Sequence, residues 1–317
     1  MNLVVNKDGE PVIITQAGCD GDYFGNLDFI FNEKGVIKPE TITNKLQRTI
    51  KQSLNPQITD DIKEMKKKYF GEPEILNEIS QDINPPNSET EENPITNMLA
   101  DSVMLKTKTE HKAIPEPEGV LLNSSNVRGG FTAPVITTED IDEILPFERG
   151  PVMTRLSEKN LFLALQHGVD TIKQRSEFIQ VAGIKYEIKD GKVTKAFFVD
   201  KNNKVKSEID PNSDKEHVVL IDPFLAEGGG NFGMLKVPED KVIVRKFDWT
   251  YQKSMKEYIK SLTREELQKK LKPQGRITFT GHKNVLKFGT SNLEAVWLKS
   301  LKSSQYAKRL RASAGVR

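Results

Sequence analysis

Apolar positions change their period several times along the chain, and each change marks an element. Val12, Ile13 and Ile14 crowd residues 11–16, and Phe24, Leu27, Phe29 and Phe31 recur through 23–31. Gly18-Cys19-Asp20-Gly21 between them is a turn signal, so the two runs predict a β-hairpin. A pair of strands is too small to stand alone and has to lean on another part of the protein. Over 39–69 the spacing becomes helical, first at Leu46, Ile50 and Leu54, then at Ile58, Ile62 and Met65 beyond Asn55-Pro56. Lys66-Lys67-Lys68 reads as a solvated face, which suits a polar connector helix within residues 37–73.

The pattern then becomes denser. Residues 74–83 suit a strand and 84–89 a loop or edge. Asn93-Pro94 opens a helix, with Asn as cap and Ile95, Met98, Leu99 and Val103 as its buried face. Asp101 on that helix is either a surface or capping carboxylate or a group that orders the Arg128 loop. Residues 119–122 form an apolar run expected to be a buried strand. It feeds Asn123 and a turn-rich segment ending in Arg128-Gly129-Gly130, where paired Gly allows a close backbone approach. Thr137 caps a short helix carrying Ile141, Ile144 and Leu145, closed by Pro146 with Phe147 at its end.

Beyond it, Ser157 caps a helix with Leu161, Phe162, Leu165 and Val169. A strand over 178–186 is broken at Gly183, and Asp190-Gly191 turns the chain into the strand 195–199. A polar loop over 200–215 leads to the apolar run 218–221. Asp222-Pro223-Phe224 follows, then Gly228-Gly229-Gly230-Asn231. Three consecutive Gly cost backbone entropy, and they mark either a hairpin tip or a backbone shaped around a ligand. Helices over 251–262 and 265–271 and a strand over 276–280 complete an α+β pattern.

Composition excludes several classes. Among 317 residues, 47 Lys and Arg against 45 Asp and Glu leave a charge of +2, no argument for nucleic acid. The single Cys19 excludes an internal disulfide framework and a Cys-based zinc site. No run approaches membrane-helix length, and the opening residues do not read as a signal peptide. His111, His167, His217 and His282 stand singly and read as surface residues rather than metal ligands. The tail at 283–317 carries eight Lys or Arg against one acid, Glu294. A helix docked on the domain with a solvated basic face is preferred there over a segment meeting a membrane or anionic partner.

Five blocks, in order, carry a resemblance. Asn93 to Asp101, Asn123 to Arg128, Leu145-Pro146-Phe147, Gln180-Val181-Ala182-Gly183, and Phe224-Leu225-Ala226-Glu227-Gly228-Gly229 resemble the C-terminal domain of the 5'-nucleotidase and UDP-sugar hydrolase family. The resemblance covers about residues 90–280. Gln16-Ala17-Gly18 and Phe24-Gly25-Asn26-Leu27 resemble the last strands of that family's metallophosphoesterase domain. It implies a remnant β-hairpin of that domain (1–36), a connector helix (37–73), a mixed-sheet substrate-binding domain (74–282) and a basic tail (283–317).

The family hydrolyses phosphate with two divalent metal ions held by its N-terminal domain. The resemblance therefore implies no cofactor in this chain and no hydrolysis by it alone. A nucleotide or nucleoside is the implied small-molecule partner, with its base sandwiched by Phe147 and Phe224. Asn123 and Arg128 are implied contacts to base or phosphate, and Gly183, Gly228 and Gly229 fall in matched blocks. Two positions depart: a phosphate-binding Arg falls near Glu89, and a ribose-binding Asp is replaced by Gly230. Asn231 is a substitute only if the loop shifts by one residue, and Arg149 is a candidate replacement charge. A non-catalytic binding or interaction protein that keeps the fold is the alternative. Many members of the family are periplasmic or extracellular, and this sequence gives no compartment.

Overall fold

The computed structural model describes residues 1–18, 21, 23–49, 55–84, 90–110, 114–172 and 177–280. The expectations for Cys19, Glu89, His111, His282 and the tail at 283–317 lie outside them. The chain divides into two compact units, Met1–Glu72 and Pro73–Arg317.

The first unit contains β1 (Asn2–Val5), β2 (Pro11–Ile14), β3 (Tyr23–Asp28), β4 (Thr43–Arg48) and helix α1 (Pro56–Phe70). The expected hairpin between the second and third strands does not form. Instead β2 pairs with β1, Asn2 opposite Ile14. The Asn6 side-chain oxygen accepts from the Asp8 and Glu10 N–H groups, and Gly9 takes φ 82°. That turn uses Asn and Gly as their conformational preferences allow. β3 pairs with β4, Tyr23 opposite Arg48, so the expected helical period through Leu46 is also wrong. The helix starts where its cap is: the Asn55 side chain accepts from Gln57 and Ile58, and Pro56 occupies the first turn. Residues upstream lack such a cap and find ladder partners in β3. No described residue of this unit is buried.

The second unit holds β5 (Ile75–Glu78), α2 (Pro94–Glu110), β6 (Gly119–Asn123), β7 (Val135–Thr137), α3 (Thr138–Ile144), β8 (Val152–Ser157) and α4 (Glu158–Asp170). There follow β9 (Ile179–Ala182), β10 (Ile184–Lys189), β11 (Lys192–Val199), β12 (Val205–Glu208), β13 (Glu216–Ile221) and α5 (Pro223–Ala226). β14 (Val242–Val244), α6 (Tyr251–Ser261), α7 (Arg264–Lys270) and β15 (Ile277–Thr280) complete it. One sheet has the order β14-β8-β13-β6-β9, and a second β12-β11-β10-β15. Each is antiparallel but for one parallel pair, β13 with β6 and β10 with β15. The architecture is thus α+β with mixed sheets. β12 lies in the segment expected to be loop; its residues are largely exposed and polar, leaving no apolar alternation to read.

All of β6 is buried because both faces of its sheet are covered. Leu121 joins the cluster containing α4 residues Leu161 and Leu165, whereas Val120 and Leu122 join that of α2 and α6. Gly183, at φ 68°, passes the chain from β9 in the first sheet to β10 in the second. A Cβ there would stand 2.2 Å from the Glu118 carbonyl oxygen, so only Gly fits.

Asp101 belongs to neither expected role. It accepts from Arg276 at 2.8 Å on both oxygens and from Lys270 at 2.7 Å. Glu92, also buried, accepts the backbone N–H groups of Gln274 and Arg276. These contacts fasten β15 to the start of α2. His217 likewise departs from the surface reading. It is 4% exposed, with Nδ1 3.0 Å from Glu118 and Nε2 2.8 Å from Glu158. Buried ionisable groups of this kind persist when paired.

Candidate functional site

The aromatic residues singled out in the sequence stand at element ends and outside the core, Phe147 after α3 and Phe224 in the first turn of α5, 37% and 41% exposed. The reasons are local. Leu145 ends α3 ahead of Pro146, which cannot extend it. The Asp222 carboxylate caps α5 by accepting from the Phe224 N–H at 2.9 Å, with Pro223 in the first turn. Each ring is therefore placed by a helix terminus, outside the core.

A buried carboxylate links the segments that carry them. Asp222 is fully buried and meets Arg149 Nη2 at 3.1 Å. The same guanidinium donates to Asn126 Oδ1 at 3.2 Å, and the Tyr251 hydroxyl donates to Asp222 Oδ2 at 3.2 Å. Burial pushes the Asp222 carboxyl above the usual carboxylate range, against the pull of Arg149 and of its hydrogen-bond donors. Burial, reinforced by the neighbouring Asp222 charge, also raises the Tyr251 hydroxyl well above its ordinary value. The Arg149 guanidinium in turn lies 4.8 Å from the Phe147 ring centre, and that of Arg128 lies 4.7 Å from it. Cation–π attraction of this kind contributes about 0.5–1 kcal/mol at exposed sites.

The remaining expected residues fall into two groups. Asn123 is buried and faces its own loop, donating to Ser125 Oγ at 2.5 Å and accepting from Asn126 Nδ2 at 2.7 Å. It shapes the loop that carries exposed Arg128, whose Nε donates to the Ser125 carbonyl at 3.4 Å. Gly183 is the joint between sheets described above. Gly228 and Gly230 adopt φ 81° and 63°, and Asn231 shares the left-handed region at φ 63°. The segment therefore coils through short turns rather than forming a hairpin tip. Gly229 lies directly against the Phe224 ring, where a Cβ would come within 2.4 Å of Cε2. His167 Nε2 meets the Gly230 carbonyl at 2.8 Å. A concavity lined by Arg264, Glu265, Gln268, Lys269 and Lys272 lies apart from the aromatic pair, on α7.

Sequence reasoning missed Asp222, Asn126 and Tyr251. The one available signal was the Asp-Pro pair ahead of Phe224, a helix start whose cap has a second, electrostatic use. Among the described residues no group of three or more His, Cys, Asp or Glu side chains is arranged to hold a metal ion.

A family model described as "5'-nucleotidase, C-terminal domain" matches residues 74–237. The chain belongs to this family. Among curated members, it is 25% identical over 249 residues to the trifunctional nucleotide phosphoesterase protein YfkN of Bacillus subtilis, covering 73% of this chain and 16% of that protein. It is 27% identical over 257 residues to a snake venom 5'-nucleotidase of Macrovipera lebetinus, covering 74% of this chain and 61% of the relative. The chain thus spans only part of the length of these relatives. A 5'-nucleotidase precursor from Thermus thermophilus shares the fold, with a TM-score of 0.59 at 20% identity, over 88% of this chain and 54% of that one.

Proposed function

We propose that this chain is the substrate-binding part of a 5'-nucleotidase-type phosphohydrolase of nucleotide catabolism, and that it holds a nucleoside or nucleotide base between Phe147 and Phe224. The observation that carries the reading is the pair of exposed rings on segments joined through Arg149 and buried Asp222. An exposed aromatic held by a helix end offers a flat apolar face at little entropic cost. Family membership supports the substrate class. Residues 1–36 are read as closing strands of a metallophosphoesterase domain; the support is that Ile14, Phe24, Ile30 and Phe31 are all more than half exposed.

Arg149 is already neutralised by Asp222, so Arg128 is the cation left to meet a phosphate, from an exposed position where water screens it. Binding is therefore expected to follow the base more than the phosphate. Calorimetry on adenosine and its monophosphate is expected to give affinities within about tenfold of each other, roughly 1.4 kcal/mol. Phe224→Ala is expected to weaken both by about 1–3 kcal/mol, by analogy with base stacking in nucleic-acid sites. A monophosphate preferred about a hundredfold would refute the ranking, and unchanged binding in Phe224→Ala would refute the stacking role.

A further inference from the structure

We infer that Arg149, anchored by Asp222, is a positioning residue for the base: it holds Phe147 and the helix start that carries Phe224 in one arrangement before a ligand arrives, an inference that rests on the nucleoside reading above. The two ring-bearing segments are distant in sequence and are joined by a closed circuit of polar contacts. The Arg149 guanidinium meets Asp222 Oδ1 at 3.1 Å. The Tyr251 hydroxyl donates to Asp222 Oδ2 at 3.2 Å, and the Tyr251 N–H donates back to the Arg149 carbonyl at 2.8 Å. Asp222 Oδ1 also accepts the Phe224 N–H at 2.9 Å, so the circuit includes the backbone of a stacking residue.

The Phe147 side is seated as firmly. The Arg149 N–H donates to the Phe147 carbonyl at 2.9 Å, and the Gln252 amide donates to the Leu145 carbonyl at 2.6 Å. A Cβ on Gly150 would stand 2.6 Å from the Trp249 carbonyl oxygen, so this segment lies directly on the chain entering α6. Asn126 brings in a third segment: its Oδ1 accepts from Arg149 at 3.2 Å while its Nδ2 donates to Asn123 Oδ1 at 2.7 Å.

A part-exposed Phe loses rotamer freedom when a base stacks on it, and that loss weakens binding. A guanidinium 4.8 Å from the Phe147 ring centre, itself fixed by a buried carboxylate, moves the ordering from the binding step to folding. The planar fork allows it, because Nη2 meets both Asp222 and Asn126 while the guanidinium carbon stays at the ring. Arg128 lies as close to the ring, yet it is exposed, and among the described residues no buried carboxylate anchors it.

Calorimetry with adenosine and thermal melts, both on the full chain, test this. Arg149→Gln combined with Asp222→Asn removes both charges together and keeps a capping side chain ahead of Phe224. This double variant is expected to melt within about 3 °C of wild type. Its adenosine affinity is nevertheless expected to fall about fivefold, the scale of a side chain left for the ligand to order. Arg149→Lys keeps the charge without the fork and should lose affinity by a similar factor. Phe147→Ala should then cost less affinity in either background than in wild type, because the two positions act as a unit. Should the double variant unfold, the comparison is read in Arg149→Lys. Wild-type affinity in these backgrounds, or an equal cost of Phe147→Ala with and without Arg149, overturns the role of Arg149 and leaves the nucleoside reading standing. If wild type does not bind adenosine, both fall.

Discussion

Arg149 joins two functions that are usually separate. It neutralises a fully buried carboxylate, and its guanidinium lies at the Phe147 ring. Removing it leaves Asp222 with the Tyr251 hydroxyl, the Phe224 N–H and Asn126 but no cation. Breaking fully buried pairs costs about 3–5 kcal/mol; because Arg149 keeps some exposure, Arg149→Ala is expected to cost about 2–3 kcal/mol. The cost should depend on pH in a definite direction. The folded Asp222 carboxyl sits above its unfolded value, so its charged form is disfavoured in the fold. Stability from this group is greatest in acid and falls as pH rises from the unfolded value, about 3.9, toward the folded one. Without Arg149 the folded value moves further up, so the deficit of Arg149→Ala should grow between pH 4 and 7. Urea melts across that range would show it, and Asp222→Asn in the same background should recover most of the loss. A deficit that is flat with pH would mean that Arg149 acts by packing alone.

At the scale of elements, single positions decide where the chain changes course. Gly183→Ala would put a Cβ at φ 68° and 2.2 Å from the Glu118 oxygen. Strain of this type costs about 1–3 kcal/mol before the clash is added, so a loss of about 3–4 kcal/mol in chemical denaturation is expected. Near wild-type stability would mean the two sheets can shift apart without penalty. Gly183 was legible in the sequence because a Gly inside an apolar run is a break. Asn93 and Ser157 were legible as caps, and Phe147 and Phe224 as rings beside a Pro where an apolar element ends. β4 and β12 were not, because exposed edge strands need no apolar alternation. Asp222 and His217 were not either. Burial is a tertiary property, and a lone carboxylate or imidazole has no local signature of its partner. Asp101 carries no local mark of its role for the same reason: Arg276 lies 175 residues away.

At the scale of the molecule, stability is concentrated in the second unit. Both hydrophobic clusters lie within it, and none of the described residues of Met1–Glu72 is buried. A fragment beginning at Pro73 is therefore expected to melt cooperatively within about 3 °C of the full chain, a shift of roughly 1 kcal/mol for a domain of this size. Loss of a cooperative transition would assign the first unit a structural role.

The clamp between the start of α2 and β15 has a further consequence, in time. Glu92 finds the Arg276 N–H 184 residues later in the chain. Synthesis proceeds from the N-terminus at about 5–20 residues per second, so this carboxylate waits roughly ten to forty seconds for its partners. Through that interval α2 can be helical and the Asn97 amide can donate to Glu92 at 2.6 Å, but the Gln274 and Arg276 N–H groups are lacking and the second sheet lacks its parallel edge. β15 is the last of the described strands to be made, and a ribosome stalled before Arg276 would present a chain most of whose described core is translated and whose clasp is open.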